Sequence, residues 1–340
     1  MYQNILVPLD GSRRAEQAFL VAVRLAHASG GTVVLLRVVS MTDQFVSYVT
    51  PQPHMTQQAI DAQIEEAKDY LEHLTHLDSL VGIQTRKLVF FGQPAENILS
   101  VAETYNIDLV IMTSHGYTGI TRWIMGSIAE KVSHASPIPI LILREGKPAL
   151  ANLYPDGGGS LRALVPLDGS AYSEAAIAPA AHLIAELTTP GRGALHLTQV
   201  VVLPGIEQMN HTERETILQK AKQNLSSTVQ EIREGLIANY GADLHLSITW
   251  SVTLDDDITG GIVRMAENGE DAERAGTPCR CDIIAMATHG YSGLQRWTLG
   301  SITERVLHST QLPLLIVRPT PLMAKNRRSF DEPALAERQD

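Results

Sequence analysis

Two stretches of this sequence carry residue types that hold a phosphate without a lysine. Thr113-Ser-His-Gly116 is followed by nine residues and then Gly126-Ser127, and Ala287-Thr-His-Gly290 by nine residues and then Gly300-Ser301. A further glycine lies inside each, Gly119 and Gly293. Glycines allow backbone angles closed to other residues and let an anion approach with no Cβ in the way. Each Gly-Ser pair stands where a helical pattern begins. The first N–H groups of such a helix have no partner within it, and its dipole is positive there. The hydroxyl of Ser127 or Ser301 has two uses at that point, donation to a phosphate or capping of the helix. The plain alternative is that the glycines only turn the chain and the serines only cap. The residues leave both open, because a duplication copies turns as faithfully as sites.

Fingerprints of fast nucleotide chemistry are missing. There is no G-x-x-x-x-G-K-[ST], so no lysine is fixed on the terminal phosphates. Gly30-Gly31 precedes a strand rather than following one, which does not suit a dinucleotide fingerprint. No G-x-S-x-G nucleophile elbow occurs. Asp10 and Asp168 are the acids placed to hold Mg²⁺ or orient a water, their alternative duty being to order the turn into the first helix. His115 and His289 border the loops, but no nucleophile or orienting acid stands beside them, which favours packing over acid–base work. Trp123 and Trp297 recur and read as core or interface anchors. Glu72, His73 and His76 share a helix but lack a third metal ligand, so they read as a solvated face and no metal site is expected.

The elements that must position these loops come in a repeat. Ile5-Leu-Val-Pro-Leu-Asp-Gly-Ser12 returns as Ala163-Leu-Val-Pro-Leu-Asp-Gly-Ser170. His115-Gly-Tyr-Thr-Gly119 returns as His289-Gly-Tyr-Ser-Gly293, and Arg122-Trp-Ile-Met-Gly-Ser-Ile128 as Arg296-Trp-Thr-Leu-Gly-Ser-Ile302. Pro139-Ile-Leu-Ile-Leu-Arg144 returns as Pro313-Leu-Leu-Ile-Val-Arg318. Residues 1–146 and 161–320 are therefore expected to be two copies of one domain. A Pro- and Gly-containing linker spans 147–160, and a charged, frayed tail 321–340. In the first copy the pattern predicts strands at Ile5–Val7, Thr32–Val39, Lys87–Phe91, Asp108–Thr113 and Pro139–Leu143. Helices are predicted over Arg13–Ala28, with Ser12 as cap, along Ile60–Leu74, over Ala95–Tyr105 and from Gly126 to His134. Strands separated by helices imply a parallel sheet with helices on both faces, and ligands then bind beyond the carboxyl ends of the strands. In the second copy Pro179 is expected to kink the first helix, and 267–281 to form a longer surface loop.

Bulk properties agree. The 340 residues suit two domains, and 44% hydrophobic with 19% charged residues supports a buried core in each. A net charge of −10 disfavours nucleic acid as a partner, since a polyanion is held by Lys and Arg. Cys279 and Cys281, separated by one residue, read as reduced thiols. No basic leader with an apolar core and no membrane-length apolar run is found, so a cytoplasmic protein is expected.

The pattern Gly-x₂-Gly-x₉-Gly-[Ser/Thr], with a leading Val-Pro-x-Asp-x-Ser and a closing Pro-[hydrophobic]₄-Arg, resembles the universal stress protein family over both copies. The resemblance implies two tandem α/β domains of the adenine-nucleotide α-hydrolase-like class. Each would be a five-stranded parallel sheet with helices on both faces. It implies a stress-response or regulatory protein that binds ATP or another adenine nucleotide without fast catalysis. A slow Mg²⁺-dependent ATPase and a nucleotide-free interaction module are the alternatives. By the same resemblance Pro8, Leu9 and Asp10 would flank adenine and ribose, and Val38 would meet the adenine. Met112, Thr113, His115, Gly116 and Gly119 would wrap ribose and phosphates, and Gly126, Ser127, Ile128 and Ala129 would close on the phosphates. The second set is Pro166, Leu167, Asp168, Val200, Met286, Ala287, His289, Gly290, Gly293, Gly300, Ser301, Ile302 and Thr303. Thr113 and Ala287 replace the family's first glycine. Alanine intrudes less, so the second copy is expected to be the better site. The closing strands mediate dimer contacts in the family, which implies an internal pseudo-dimer here and a homodimer as a further step.

Overall fold

A computed structural model describes residues 2–40, 57–114, 125–144, 150, 160–202, 211–240, 246–269, 280–288 and 299–319. The first half runs β1 (Asn4–Leu9), α1 (Glu16–Ser29), β2 (Thr32–Val39), α2 (Gln57–Thr75), β3 (Gln84–Phe91), α3 (Pro94–Thr104), β4 (Leu109–Thr113), α4 (Ser127–Ala135) and β5 (Ile140–Leu143). The second runs β6 (Arg162–Pro166), α5 (Ala171–Glu174), α6 (Ile177–Thr188), β7 (Gly193–Val201), α7 (His211–Tyr240), β8 (Leu246–Leu254), α8 (Ile258–Asn268), β9 (Ile283–Ala287), α9 (Ser301–Ser309) and β10 (Leu314–Val317). The linker other than Leu150 and Ser160, the longer loop at 270–279 and the tail from 320 lie outside the described residues.

Local sequence accounts for most boundaries. α1 stops where Gly30 takes a left-handed φ of 67° and returns its N–H to the Ala26 carbonyl. Gly269, at φ 71°, closes α8 in the same way. Ser12 accepts from the Ala15 N–H at 3.2 Å, so it caps a turn that leads into α1 rather than the helix itself, which starts at Glu16. The first helix is interrupted at Ala175–Ala176, between α5 and α6, with both residues still in right-handed helical backbone. Pro179 has no N–H to return to the Ala175 carbonyl, so the interruption falls where the proline is expected to disturb the helix.

The strands form one ten-stranded sheet, β3-β2-β1-β4-β5-β10-β9-β6-β7-β8. Every pairing inside either half is parallel. The halves meet at β5 and β10, which pair antiparallel with Leu315 opposite Leu141. That reversal points the carboxyl ends of β1 and β4 to one edge of the sheet and those of β6 and β9 to the other. Helices cover both faces, and the apolar layer on each face crosses the seam. One layer joins Phe19, Leu71 and Leu141 to Leu315, Ile184 and Leu225. The other joins Ile98, Val132 and Ile140 to Leu314, Val306 and Met265. β5 and β10 are buried at every residue, as strands covered on both faces should be.

Polar contacts reinforce the seam. The closing arginines cross it in both directions, Arg144 donating to the Leu307 carbonyl and Arg318 to the His134 carbonyl at 2.6 Å. Each guanidinium thereby meets the carboxyl-terminal end of the other half's post-loop helix, where the dipole is negative. Burial lowers the Arg144 pKa to about 10, against the opposing pull of Glu267. Tyr2 crosses as well, its hydroxyl donating to the Pro179 carbonyl at 2.9 Å and its N–H to Glu186 at 3.2 Å.

Candidate functional site

The carboxyl edge of the first half is assembled by β1 and β4, which are neighbours in the sheet. Pro8 and Leu9 end β1 and Asp10 follows; Met112 and Thr113 end β4. Val38, buried near the end of β2, follows Arg37, the partner of Leu9, and itself pairs with Phe90 of β3. Gly11 turns the chain with φ 82°, and Asp10 accepts from the Ser12 N–H at 3.0 Å. Asp10 therefore orders this turn, the structural duty weighed from sequence. The second half repeats the device at Gly169, also at φ 82°. There Asp168 accepts from both the N–H of Ser170, at 2.9 Å, and its hydroxyl, at 2.6 Å.

The helix after each loop is tied back to the strand before it. Ser114 donates its N–H to the Leu143 carbonyl at 2.9 Å and accepts from the Gly126 N–H at 2.8 Å. Thr288 repeats this with Val317 at 2.8 Å and Gly300 at 2.7 Å. Gly126 and Gly300, not the serines, are the N-cap residues, in extended backbone and with no side-chain cap. Ser127 and Ser301 are the first helical residues and are exposed, so the capping use of their hydroxyls falls away. Ile128 is exposed, Ile302 half-buried, and Ala129 and Thr303 are buried. Each site thus presents, among the described residues, a helix start whose N-cap glycine supplies no side-chain acceptor, beside two strand ends.

One role and one residue escaped sequence reasoning, the clamping role of Thr303 and the residue Arg37. Thr303 donates its buried hydroxyl to the Ala287 carbonyl at 2.8 Å, clamping α9 to the end of β9. In the first half the same two positions are Ala129 and Thr113, so hydroxyl and methyl have changed places between helix and strand. Aligning the repeats shows this exchange. Arg37, one residue before Val38, donates to the Leu9 carbonyl at 3.4 Å, and its guanidinium lies beside Gly11. Near it Tyr70 donates to Glu16 at 3.2 Å, and burial, with the charges of Glu16 and Asp10, pushes the Tyr70 pKa up against the pull of Arg37. Gln199 takes the place of Arg37 in the second half. Here the signal was a lone charge in an apolar strand.

His115, Gly116, Gly119, Trp123 and their counterparts His289, Gly290, Gly293 and Trp297 lie outside the described residues. Among the described residues no group of three or more His, Cys, Asp or Glu is arranged for a metal. Glu72 is taken by Lys87 and, at 3.2 Å, by His76. Cys281 is buried and forms no disulfide among the described residues, and Cys279 lies outside them. No helix among the described residues is long and apolar enough to cross a membrane.

The model of the universal stress protein family matches residues 1–144 and again residues 160–318. The chain belongs to the universal stress protein family. Its universal stress protein domains stand in tandem, as the repeat implied. Universal stress protein YxiE of Bacillus subtilis is 28% identical over 148 residues, which is 42% of this chain and all of that protein. Universal stress protein MJ0577 of Methanocaldococcus jannaschii is 28% identical over 155 residues, 42% of this chain and 96% of its own length. A universal stress protein structure from Archaeoglobus fulgidus aligns with 94% of this chain and 97% of its own, with a TM-score of 0.59. At 20% identity that likeness speaks to the fold, and it spans both domains.

Proposed function

We propose that each domain binds an adenine nucleotide, ATP foremost, at the carboxyl edge of its half-sheet, and that the protein serves stress response by holding the nucleotide rather than turning it over quickly. The observation that carries this reading is the uncapped start of α4 and α9. Gly126 and Gly300 offer the first-turn amides no side-chain acceptor of their own, and among the described residues these amides lie next to the ends of β4 and β9. Such amides at the positive end of a helix suit a phosphate. The choice of adenine rests on the family resemblance, with Pro8, Leu9, Val38 and Met112 supplying apolar walls in one domain and Pro166, Leu167, Val200 and Met286 in the other. Asp10 and Asp168 already serve their turns, which sets them against a dedicated Mg²⁺ role. The domain with Ala287 and the Thr303 clamp is the tighter site in this proposal, since its strand end carries the smaller side chain and its helix start is fixed.

Mass spectrometry of nucleotides released from the denatured, freshly purified protein is the test. Co-purified ATP supports binding without turnover, and ADP in its place points to slow hydrolysis. Protein free of nucleotide that also fails to bind added ATP in calorimetry sinks the proposal and favours an interaction module.

A further inference from the structure

The ten-stranded sheet ends differently on its two sides. β3, at one end, carries Arg86 and Lys87 in its middle. Arg86 lies 5.0 Å from the ring of Tyr105, and Lys87 pairs with Glu72. Cations on an outer strand discourage further pairing, because a new neighbour would strip their water. β8, at the other end, has no charged residue and no proline in Leu246-Ser-Ile-Thr-Trp-Ser-Val-Thr-Leu254. Among the described residues it pairs on one side only, with β7. Trp250 is 37% exposed and Leu254 36%. An uncharged outer strand of nine residues is a template for another strand.

The sequence of β8 indicates which strand. Turned end for end about Trp250, it matches itself in chemistry. Leu246 falls opposite Leu254, Ser247 opposite Thr253, Ile248 opposite Val252, and Thr249 opposite Ser251. Trp250 falls on itself. The faces agree too. Thr249 and Ser251 contact the two ring nitrogens of His196, at 2.8 and 2.9 Å, so they share one face. Leu246, Ile248 and Val252 pack on the apolar layer of the other. A two-fold contact sets each surface against its own copy, and cross-strand pairs of like apolar or hydroxyl residues are favourable. β3 fails the same operation, which would set Lys87 against Leu88 and Arg86 against Val89.

We propose that two copies of this chain pair through β8, antiparallel and centred on Trp250, so that the sheet continues from one copy into the next. Sedimentation equilibrium of the full chain should then show a reversible dimer. Trp250→Lys sets two ammonium groups face to face and should weaken that dimer at least tenfold, whereas Phe90→Lys on β3 should leave it unchanged. Mild oxidation of Trp250→Cys should give a disulfide-linked dimer, because only the axial position faces itself. Ser247→Cys, which faces Thr253, should not cross-link beyond the background set by Cys279 and Cys281. Should Trp250→Lys fail to fold by circular dichroism, the two cysteine variants decide the matter. A chain that stays monomeric at all concentrations overturns the proposal. So does a dimer that Trp250→Lys leaves intact, or one that cross-links equally through either cysteine.

Discussion

An aspartate at position 126 or 300 would occupy backbone that any residue adopts, φ −67° and −64° with ψ near 140°. Aspartate is also a good N-cap, so Gly126→Asp and Gly300→Asp should keep the fold while placing a carboxylate where the phosphate is proposed to lie. Both should weaken ATP binding in a calorimetric titration by about tenfold or more. Gly300→Asp should cost the tighter site, and equal losses from the two variants would refute that ranking. Glu186 makes a second prediction, independent of ligand. Burial, supported by the charge of Asp108, raises its pKa from 4.5 to about 7. The folded chain therefore keeps this proton up to neutrality, while the unfolded chain releases it near the ordinary value. Its contribution to stability is greatest below the ordinary pKa, falls as pH rises through the window between the two values, and is flat above. Glu186→Gln should abolish that fall and raise stability in alkaline buffer by on the order of 2 kcal/mol, read from urea midpoints across pH. Position by position, the sequence placed Asp10, Met112 and Gly126 at the strand and helix ends where they stand. It left open whether the serines cap α4 and α9, because Gly and Ser are both acceptable caps and only backbone angles separate them.

Secondary structure followed local chemistry wherever that chemistry had one answer. Gly30 after an apolar helix, and apolar runs such as Ile140–Leu143, were readable because little else suits them. The start of α1 was not, since the Ser12 turn and the helix use the same residues, whereas the interruption before Pro179 was, since the ring removes the bond back to Ala175. The direction of β5 against β10 was also hidden, because a short run of Ile and Leu reads the same in a parallel or antiparallel ladder. α8 offers a clean test of local control. Asp257 caps it, accepting from the N–H groups of Thr259 at 3.2 Å and Gly260 at 2.9 Å, and also meets Arg305 at 2.5 Å. Asp257→Ala should cost about 1 kcal/mol in chemical denaturation, and Asp257→Asn should recover most of it by restoring the cap without the charge. A loss of equal size in both would show that the ion pair, not the cap, matters.

The two domains should unfold together, because the apolar layers on both faces run through the seam without a break. Leu315 is fully buried at that seam, opposite Leu141. Leu315→Ala should cost about 2–5 kcal/mol, and calorimetry of the parent and the variant should show one transition each, with calorimetric and van't Hoff enthalpies in agreement. A variant with two separated transitions would mean that the domains share a sheet without sharing a folding unit. The antiparallel seam also fixes what a ligand with two heads can do. The carboxyl edges of the two domains face opposite ways, so a dinucleotide with a short tether cannot seat both ends on one molecule and gains nothing from effective concentration. Bound at one end, its second head projects away from the protein and toward a different molecule. Such a compound would bridge chains rather than chelate one, and each chain would behave toward it as a divalent link.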